Sequence, residues 1–223
     1  MPRRAGSCSS CQMLGVHFTN HPMDTSEDLP RSVLALVRHG RSAFRQHGWV
    51  DTAGFRAWRM AYEEAGITED ESPPPRVTHF AASASLIISS HARRASQSAQ
   101  MLSNRSVVVS PLVAELEHPA LDLGRLKLPL VFWAIAMGTR IAMQTLRSVY
   151  PSRADCIRVN LAAEWLQELS QEHSSIVVIT HASFRKRLAR KLVQSGWKST
   201  NSQQPIHPWS MWLFETPSAC KDA

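Results

Sequence analysis

The chain has 223 residues, 43% of them hydrophobic and 19% charged, with a formal net charge of +7. This composition excludes a disordered or fibrous chain and allows a sizeable core in one domain of ordinary size. The positive balance favours anionic partners without choosing among nucleic acid, acidic lipid and a phosphorylated small molecule.

The longest apolar stretch, residues 128–137, is about half of the roughly 20 residues a bilayer span needs, so no integral membrane segment is expected. Cys8, Cys11, Cys156 and Cys220 are too scattered for a disulfide framework, and a reducing cytoplasm is the expected compartment. Residues 1–30 mix Ser, Thr, Asn, Pro and charge without periodicity and read as a mobile leader. Met13 and Met23 leave open a start further downstream. Within this leader, Cys8-x-x-Cys11 followed by His17-x-x-x-His21 supplies zinc-ligand types, but the gap between the pairs is shorter than in a finger, and no metal is assigned.

The first strand is expected over 32–37, branched and apolar on both faces as in a parallel sheet. It ends in Arg38-His39-Gly40, which delivers a cation and an imidazole to the rim, and Gly40 is expected to permit a sharp turn. Residues 51–65 predict a helix with Phe55, Trp58, Tyr62 and Ala65 on one stripe, read as core, and Gly66 as its stop. Ser72-Pro73-Pro74-Pro75 punctuates the chain and forbids helix through it.

A second buried strand follows at 86–88, and Ser89-Ser90 is expected to cap a helix beginning near His91. On that helix Ala95, Ala99 and Leu102 share the core face, which sets Arg94 on its flank, able to look over the sheet edge. Residues 107–109 are a third strand candidate, after which Glu115 and Glu117 stand in an apolar neighbourhood. Residues 118–150 break the alternation and read as a cap or insertion, with a helix over 131–143 that is apolar on most sides.

An amphipathic helix over 155–170 carries Ala162, Trp165, Leu166 and Leu169 on one face. The strand at 176–180 then repeats the opening pattern and ends in His181. In the next helix Phe184, Leu188 and Leu192 point inward, while Lys186, Arg187, Arg190 and Lys191 form a charged exterior, read as a solvated face without the aromatic interleaving of a nucleic-acid binder. Residues 209–214 alternate as a last strand. The expected division is a leader to residue 30, one domain over 31–217, and a tail over 218–223.

Alternating strands and helices predict an α/β/α three-layer sandwich with a mostly parallel sheet. Arg38, His39, Arg94 and His181 all fall at strand ends or helix starts along one rim, and two guanidinium forks with two imidazoles make a pocket for phosphoryl oxygens.

Arg38-His39-Gly40, Ser89-Ser90-x-x-x-Arg94-Ala95-x-Gln97-Ser98-Ala99, Ala114-Glu115 and Thr180-His181, in this order, resemble the signature of the histidine phosphatase superfamily, the phosphoglycerate mutase-like family. The resemblance spans residues 33 to about 214. It extends to the compact bacterial branch through His47-Gly48-Trp49-Val50-Asp51 and Arg187-Leu188-Ala189-Arg190-Lys191. It implies a phosphoglycerate mutase-like fold and a phosphomonoesterase that needs no cofactor. His39 would be the phosphorylated nucleophile, Arg38, Arg94 and His181 the phosphate clamp, and Glu115, rather than Glu117, the proton donor. The substrate would be a phosphorylated small molecule or phosphoprotein.

Three positions depart from the pattern: Ala182 for the usual glycine, Arg45 for a frequent asparagine, and Ala114 for a frequent arginine. A mutase and a non-catalytic phosphate-binding module on the same scaffold are the alternatives. Specificity is expected to reside in residues 118–150 and 45–58, and oligomeric state is unassigned.

Overall fold

Runs of branched side chains, apolar on both faces, can be buried only between two helical layers. The computed structural model describes residues 32–45, 47–201 and 207–216, and it shows this arrangement. In chain order the elements are β1 (Val33–Arg38), β2 (Trp49–Val50), α1 (Thr52–Glu64), α2 (Pro75–Ser83), β3 (Leu86–Ser89), α3 (Arg93–Leu102), β4 (Val108–Val109), a 3-10 turn (Pro111–Val113), β5 (Leu128–Pro129), α4 (Leu130–Leu146), α5 (Arg153–Glu172), β6 (Ser175–Thr180), α6 (Ala182–Gln194), β7 (Lys198–Ser199) and β8 (Met211–Glu215).

The main sheet runs β4-β3-β6-β1-β8-β7. Its first four strands are parallel, whereas β8 is antiparallel to β1 and to β7. β1 and β6 lie side by side with Arg38 opposite Thr180, so the residues that follow each strand, His39 and His181, emerge level with one another. A small separate sheet joins β2 to β5 and ties the loop after the first histidine to the base of α4.

Alternate residues of each strand face opposite layers. Leu34, Leu36, Ile176, Val178 and Phe214 pack with Leu166 of α5 and with Phe184 and Leu188 of α6. Ala35, Val37, Val177 and Ile179 pack with Val77 and Ala81 of α2 and with Ala95 and Ala99 of α3. A fully buried Leu or Ile contributes about 2 kcal/mol relative to exposure, so these two faces account for most of what holds the sandwich together. A third cluster, Phe55, Leu121, Trp133 and Met137, joins α1 to α4 beside the sheet.

Several local expectations change. The helix α2 was not foreseen: Pro75 opens it at the first helical position, where the missing N–H costs nothing. The last strand starts at Met211, after Trp209 with its positive φ of 61°. Gly40 has no positive φ; a side chain there would meet the Trp209 ring at 2.9 Å, so the glycine makes room for that indole. The helix α1 ends on an extended Ala65, and Gly66 clears space for the side chain of Gln97, whose Oε1 accepts from Ile67 N at 2.9 Å. Among the described residues no helix is long and apolar enough to cross a membrane. The set Cys8, Cys11, His17 and His21 lies outside the described residues, while Cys156 is a free, exposed thiol.

Candidate active site

The ends of β1 and β6 bring His39 and His181 together with ring centroids 5.1 Å apart and planes tilted by 58°. Both imidazoles are buried, and His39 N–H donates to Thr180 O at 3.1 Å, which locks the two strand ends to each other. The hydrogen bonds fix different tautomers for the two rings. His39 Nδ1–H donates to Gly40 O at 2.7 Å, and Nε2 accepts from Arg94 Nε at 3.3 Å. His181 is reversed: Nδ1 accepts from Arg94 Nη2 at 3.3 Å, so Nε2–H donates to Ser90 Oγ at 2.9 Å.

Burial keeps both rings neutral. It drives His39 from 6.5 down to about 3, with the Arg94, Arg38 and Arg185 charges acting in the same sense and the Gly40 hydrogen bond opposing them. His181 lies well below its ordinary value, again by burial first, then by the neighbouring His39, Arg94, His91 and Arg38. Arg38, at the end of β1, bears electrostatically on both imidazoles.

Arg94 binds the two rings together. It lies in the first turn of α3, on the flank of the core face and over the sheet edge, and is only 1% exposed. Burial of a guanidinium requires partners for its donors, and α1 supplies them. Nη1 donates to the carbonyls of Tyr62 and Glu63 at 3.1 and 3.2 Å, Nη2 to Glu63 Oε2 at 2.8 Å, and the guanidinium lies 4.8 Å from the Tyr62 ring centre. The aromatic stripe of α1, expected as core, is buried at Phe55, only partly buried at Trp58, Tyr62 and Ala65, and a ligand of Arg94 at its end. Trp133 stacks on Phe55, Phe55 on Trp58, and Trp58 on Tyr62, linking the cap helix to the pocket.

Glu115 stands at the start of α6. Its carboxylate accepts from Phe184 N at 2.9 Å, Ser183 N at 3.3 Å and Leu116 N at 3.0 Å, two of these being first-turn N–H groups that follow His181. Glu117 is exposed. The loop bearing Glu115 is clamped by Arg158, which donates to the carbonyls of Leu112, Ala114 and Glu115 and to Asp155. Tyr150, at the end of the cap, is pushed up by burial and then by the nearby Glu115 charge.

Four contributions escaped the sequence reading. Ser90 was expected to cap α3; the helix begins instead at Arg93 with no side-chain cap, and Ser90 receives the His181 proton. Ser98 Oγ accepts from Gly40 N at 2.9 Å and pins the turn after His39. Glu63 stood unremarked in the helix stripe. Arg185, hidden in a run of basic residues, is fully buried: it donates to Leu36 O, Ser210 O and Ser210 Oγ, and lies 4.1 Å over the Trp212 ring. Burial and then Arg38 lower it to about 9, still a cation at neutral pH. Helical phase is the signal that separates it from Lys186 and Arg190, which are exposed as expected: Arg185 falls between Leu192 and Ala189 on the buried arc of α6. Arg45 is exposed to solvent, and Ala182 opens α6.

No protein-family model matches the chain, and no curated protein matches it by sequence. Solved structures do match in shape. A mycobacterial glucosyl-3-phosphoglycerate phosphatase superposes with a TM-score of 0.52 at 16% identity, covering 83% of this chain and 90% of its own. A phosphoglycerate mutase from Bacillus anthracis gives 0.53 at 13% identity, covering 86% and 90%. A protein described as mycobacterial hydrolase 1 gives 0.51 at 16% identity, covering 85% and 99%. The chain has the fold that these structures share.

Proposed function

We propose that this chain, which carries the histidine phosphatase scaffold, hydrolyses phosphomonoesters through a phosphohistidine formed on His39. The observation that carries this reading is the pairing of the His39 ring nitrogens, Nδ1 with Gly40 O and Nε2 with Arg94 Nε. Gly40 O takes the Nδ1 hydrogen of His39, leaving the Nε2 lone pair beside the Arg94 guanidinium. Nucleophile and oxyanion-binding group therefore share one buried pocket.

A phosphoryl oxygen displaces the Glu63 carboxylate from Arg94 Nη2; the Glu63 side chain is 52% exposed and free to swing out. The Arg94 Nε–H turns from His39 Nε2 to a phosphoryl oxygen, and the freed Nε2 attacks phosphorus. The Nε2–P bond forms as the ester P–O bond breaks, and Glu115, in its protonated form, gives its proton to the leaving oxygen. The phosphorylated ring is cationic, and its charge is stabilised through Nδ1–H on Gly40 O. In the second half, the Glu115 carboxylate takes a proton from water as the water oxygen bonds to phosphorus and the Nε2–P bond breaks. Inorganic phosphate leaves, and both residues return to their starting state. Arg38 and Arg94 hold the phosphoryl oxygens in both halves, and His181 anchors Arg94 through Nδ1.

Phosphate release from a panel of alkyl and aryl phosphomonoesters tests the reading. Release by the wild type, with Glu115→Gln slowed about 10²- to 10⁴-fold on alkyl esters and much less on an activated aryl ester, is expected. Equal losses on both would remove Glu115 from the acid role. No release from any ester would leave a phosphate-binding module, and transfer without net release would indicate a mutase.

A further inference from the structure

The helix α4 has two apolar faces and only one of them is covered. Trp133 and Met137 are buried against α1, while on the opposite side Val131, Phe132, Ile135, Met143 and Leu146 are exposed by 60%, 53%, 60%, 49% and 86%. Their spacing puts these five in a stripe on one side of the helix, with Thr139 between Ile135 and Met143 turning its hydroxyl back to Ile135 O. Trp49, 69% exposed, extends the apolar surface from β2, where it pairs with Pro129 at the base of α4. A contiguous apolar surface of this kind marks a contact site.

The charge around the stripe identifies what it contacts. Residues 123–154 contain no Asp or Glu and five cations, Arg125, Lys127, Arg140, Arg147 and Arg153, all exposed. Arg140 and Arg147 lie along one flank of the stripe, roughly a third of a turn from its centre, where long cationic side chains can reach up from a shallowly inserted helix. A second copy docking by two-fold symmetry would set this cationic rim against itself. A nucleic acid would satisfy the cations and leave the apolar stripe in water. An anionic bilayer surface satisfies both, taking the apolar side chains at the acyl boundary and the arginines at the headgroups. At 17 residues, and with its other face in the core, α4 lies in the interface and does not cross it.

We infer that the outward face of α4 docks this protein on anionic membrane surfaces, independently of which ester the pocket cleaves. The stack Trp133–Phe55–Trp58–Tyr62 on the inner side of the same helix places the docking face one layer from Arg94.

The test is sedimentation of the full chain with phosphatidylcholine vesicles containing or lacking about 30% phosphatidylserine, with the oligomeric state measured in parallel by analytical ultracentrifugation. The wild type is expected to partition onto the anionic vesicles. Phe132→Ser combined with Ile135→Ser, which leaves every charge in place, is expected to lower the partition coefficient by about tenfold or more. Arg140→Gln and Arg147→Gln are each expected to lower it about fivefold. An unchanged near-ultraviolet circular dichroism spectrum confirms that each variant is folded without reference to activity.

Three outcomes would overturn the inference. One is equal binding to neutral and anionic vesicles, or to neither. Another is a dimer that the serine pair dissociates, making the face a self-contact. The third is anionic binding that survives the serine pair but is lost in Lys186→Gln combined with Arg190→Gln, assigning it to the basic face of α6.

Discussion

His39 and His181 occupy equivalent places, each just past the end of a parallel strand, yet their proton arrangements are opposite. At His39 the hydrogen sits on Nδ1, held by the carbonyl of Gly40, and Nε2 accepts from Arg94 Nε. At His181 the hydrogen sits on Nε2, held by Ser90, and Nδ1 faces Arg94. The same strand geometry thus turns Nε2 of one ring and Nδ1 of the other toward Arg94, and the distinction is made by the Gly40 carbonyl after β1 and by Ser90 in the β3–α3 connection.

Removing each ring should separate the roles most strongly. His39→Ala is expected to lose all turnover of an aryl phosphate, a fall of about 10⁴-fold or more, because the covalent step has no substitute. His181→Ala should retain the step with a loss of about 10²- to 10³-fold, the cost of losing the ring that anchors Arg94 beside the transferring group. Kinetic constants for the two variants check this, and equal losses would merge the roles.

Acid titration should reveal both rings as buried and neutral. Their folded pKa values lie below the unfolded value of about 6.5, so the unfolded chain takes up protons first. Stability is therefore fully present above pH 6.5 and declines as pH falls, by up to about 1.4 kcal/mol per pH unit for each ring, toward about 3 in the case of His39. Urea midpoints at pH 7.5, 6 and 5 read this slope, and double replacement of the histidines should flatten it.

Arg185 supports the attacking side of the comparison. Its bonds to Leu36 O and Ser210 tie β1 to the turn before β8, and its charge bears on His39. Arg185→Met keeps much of the volume but removes three hydrogen bonds, and should cost about 2 kcal/mol in urea unfolding while moving the His39 titration upward by imidazole NMR. Ser90 supports the other side, with a smaller effect. Ser90→Ala removes the acceptor of His181 Nε2–H and should lower kcat about tenfold, with Ser90→Thr restoring most of it. A loss of stability alone, without a change in the His181 ring signals, would reduce Ser90 to a structural role.

The features legible in the sequence were those that burial imposes on a continuous segment. The strands ending at Arg38 and Thr180 stand out because both of their faces must be apolar, and the histidines stand out because they interrupt that pattern. Their convergence with Arg94 and the Glu115 loop follows from strand-helix alternation. What remained hidden depends on contacts distant in the chain. Ser90 looks like any helix-capping serine until His181 is placed beside it, Arg185 shares the apolar arc of its helix but has no visible partner until Ser210 folds over it, and Glu63 shows no role until α1 is laid across Arg94. The two-residue strands β2, β4, β5 and β7 are too short to show a period, although the run around β4 was read as a strand candidate.

The central claim is that His39 Nε2 becomes covalently phosphorylated. Rapid mixing of the full chain with ³²P-labelled aryl phosphate, an alkaline quench and mapping of the labelled peptide test it directly. The account predicts an acid-labile, base-stable adduct on the peptide containing His39, absent in His39→Ala and still formed, more slowly, in His181→Ala. Phosphate release without any such adduct, or a label on the His181 peptide, would contradict it.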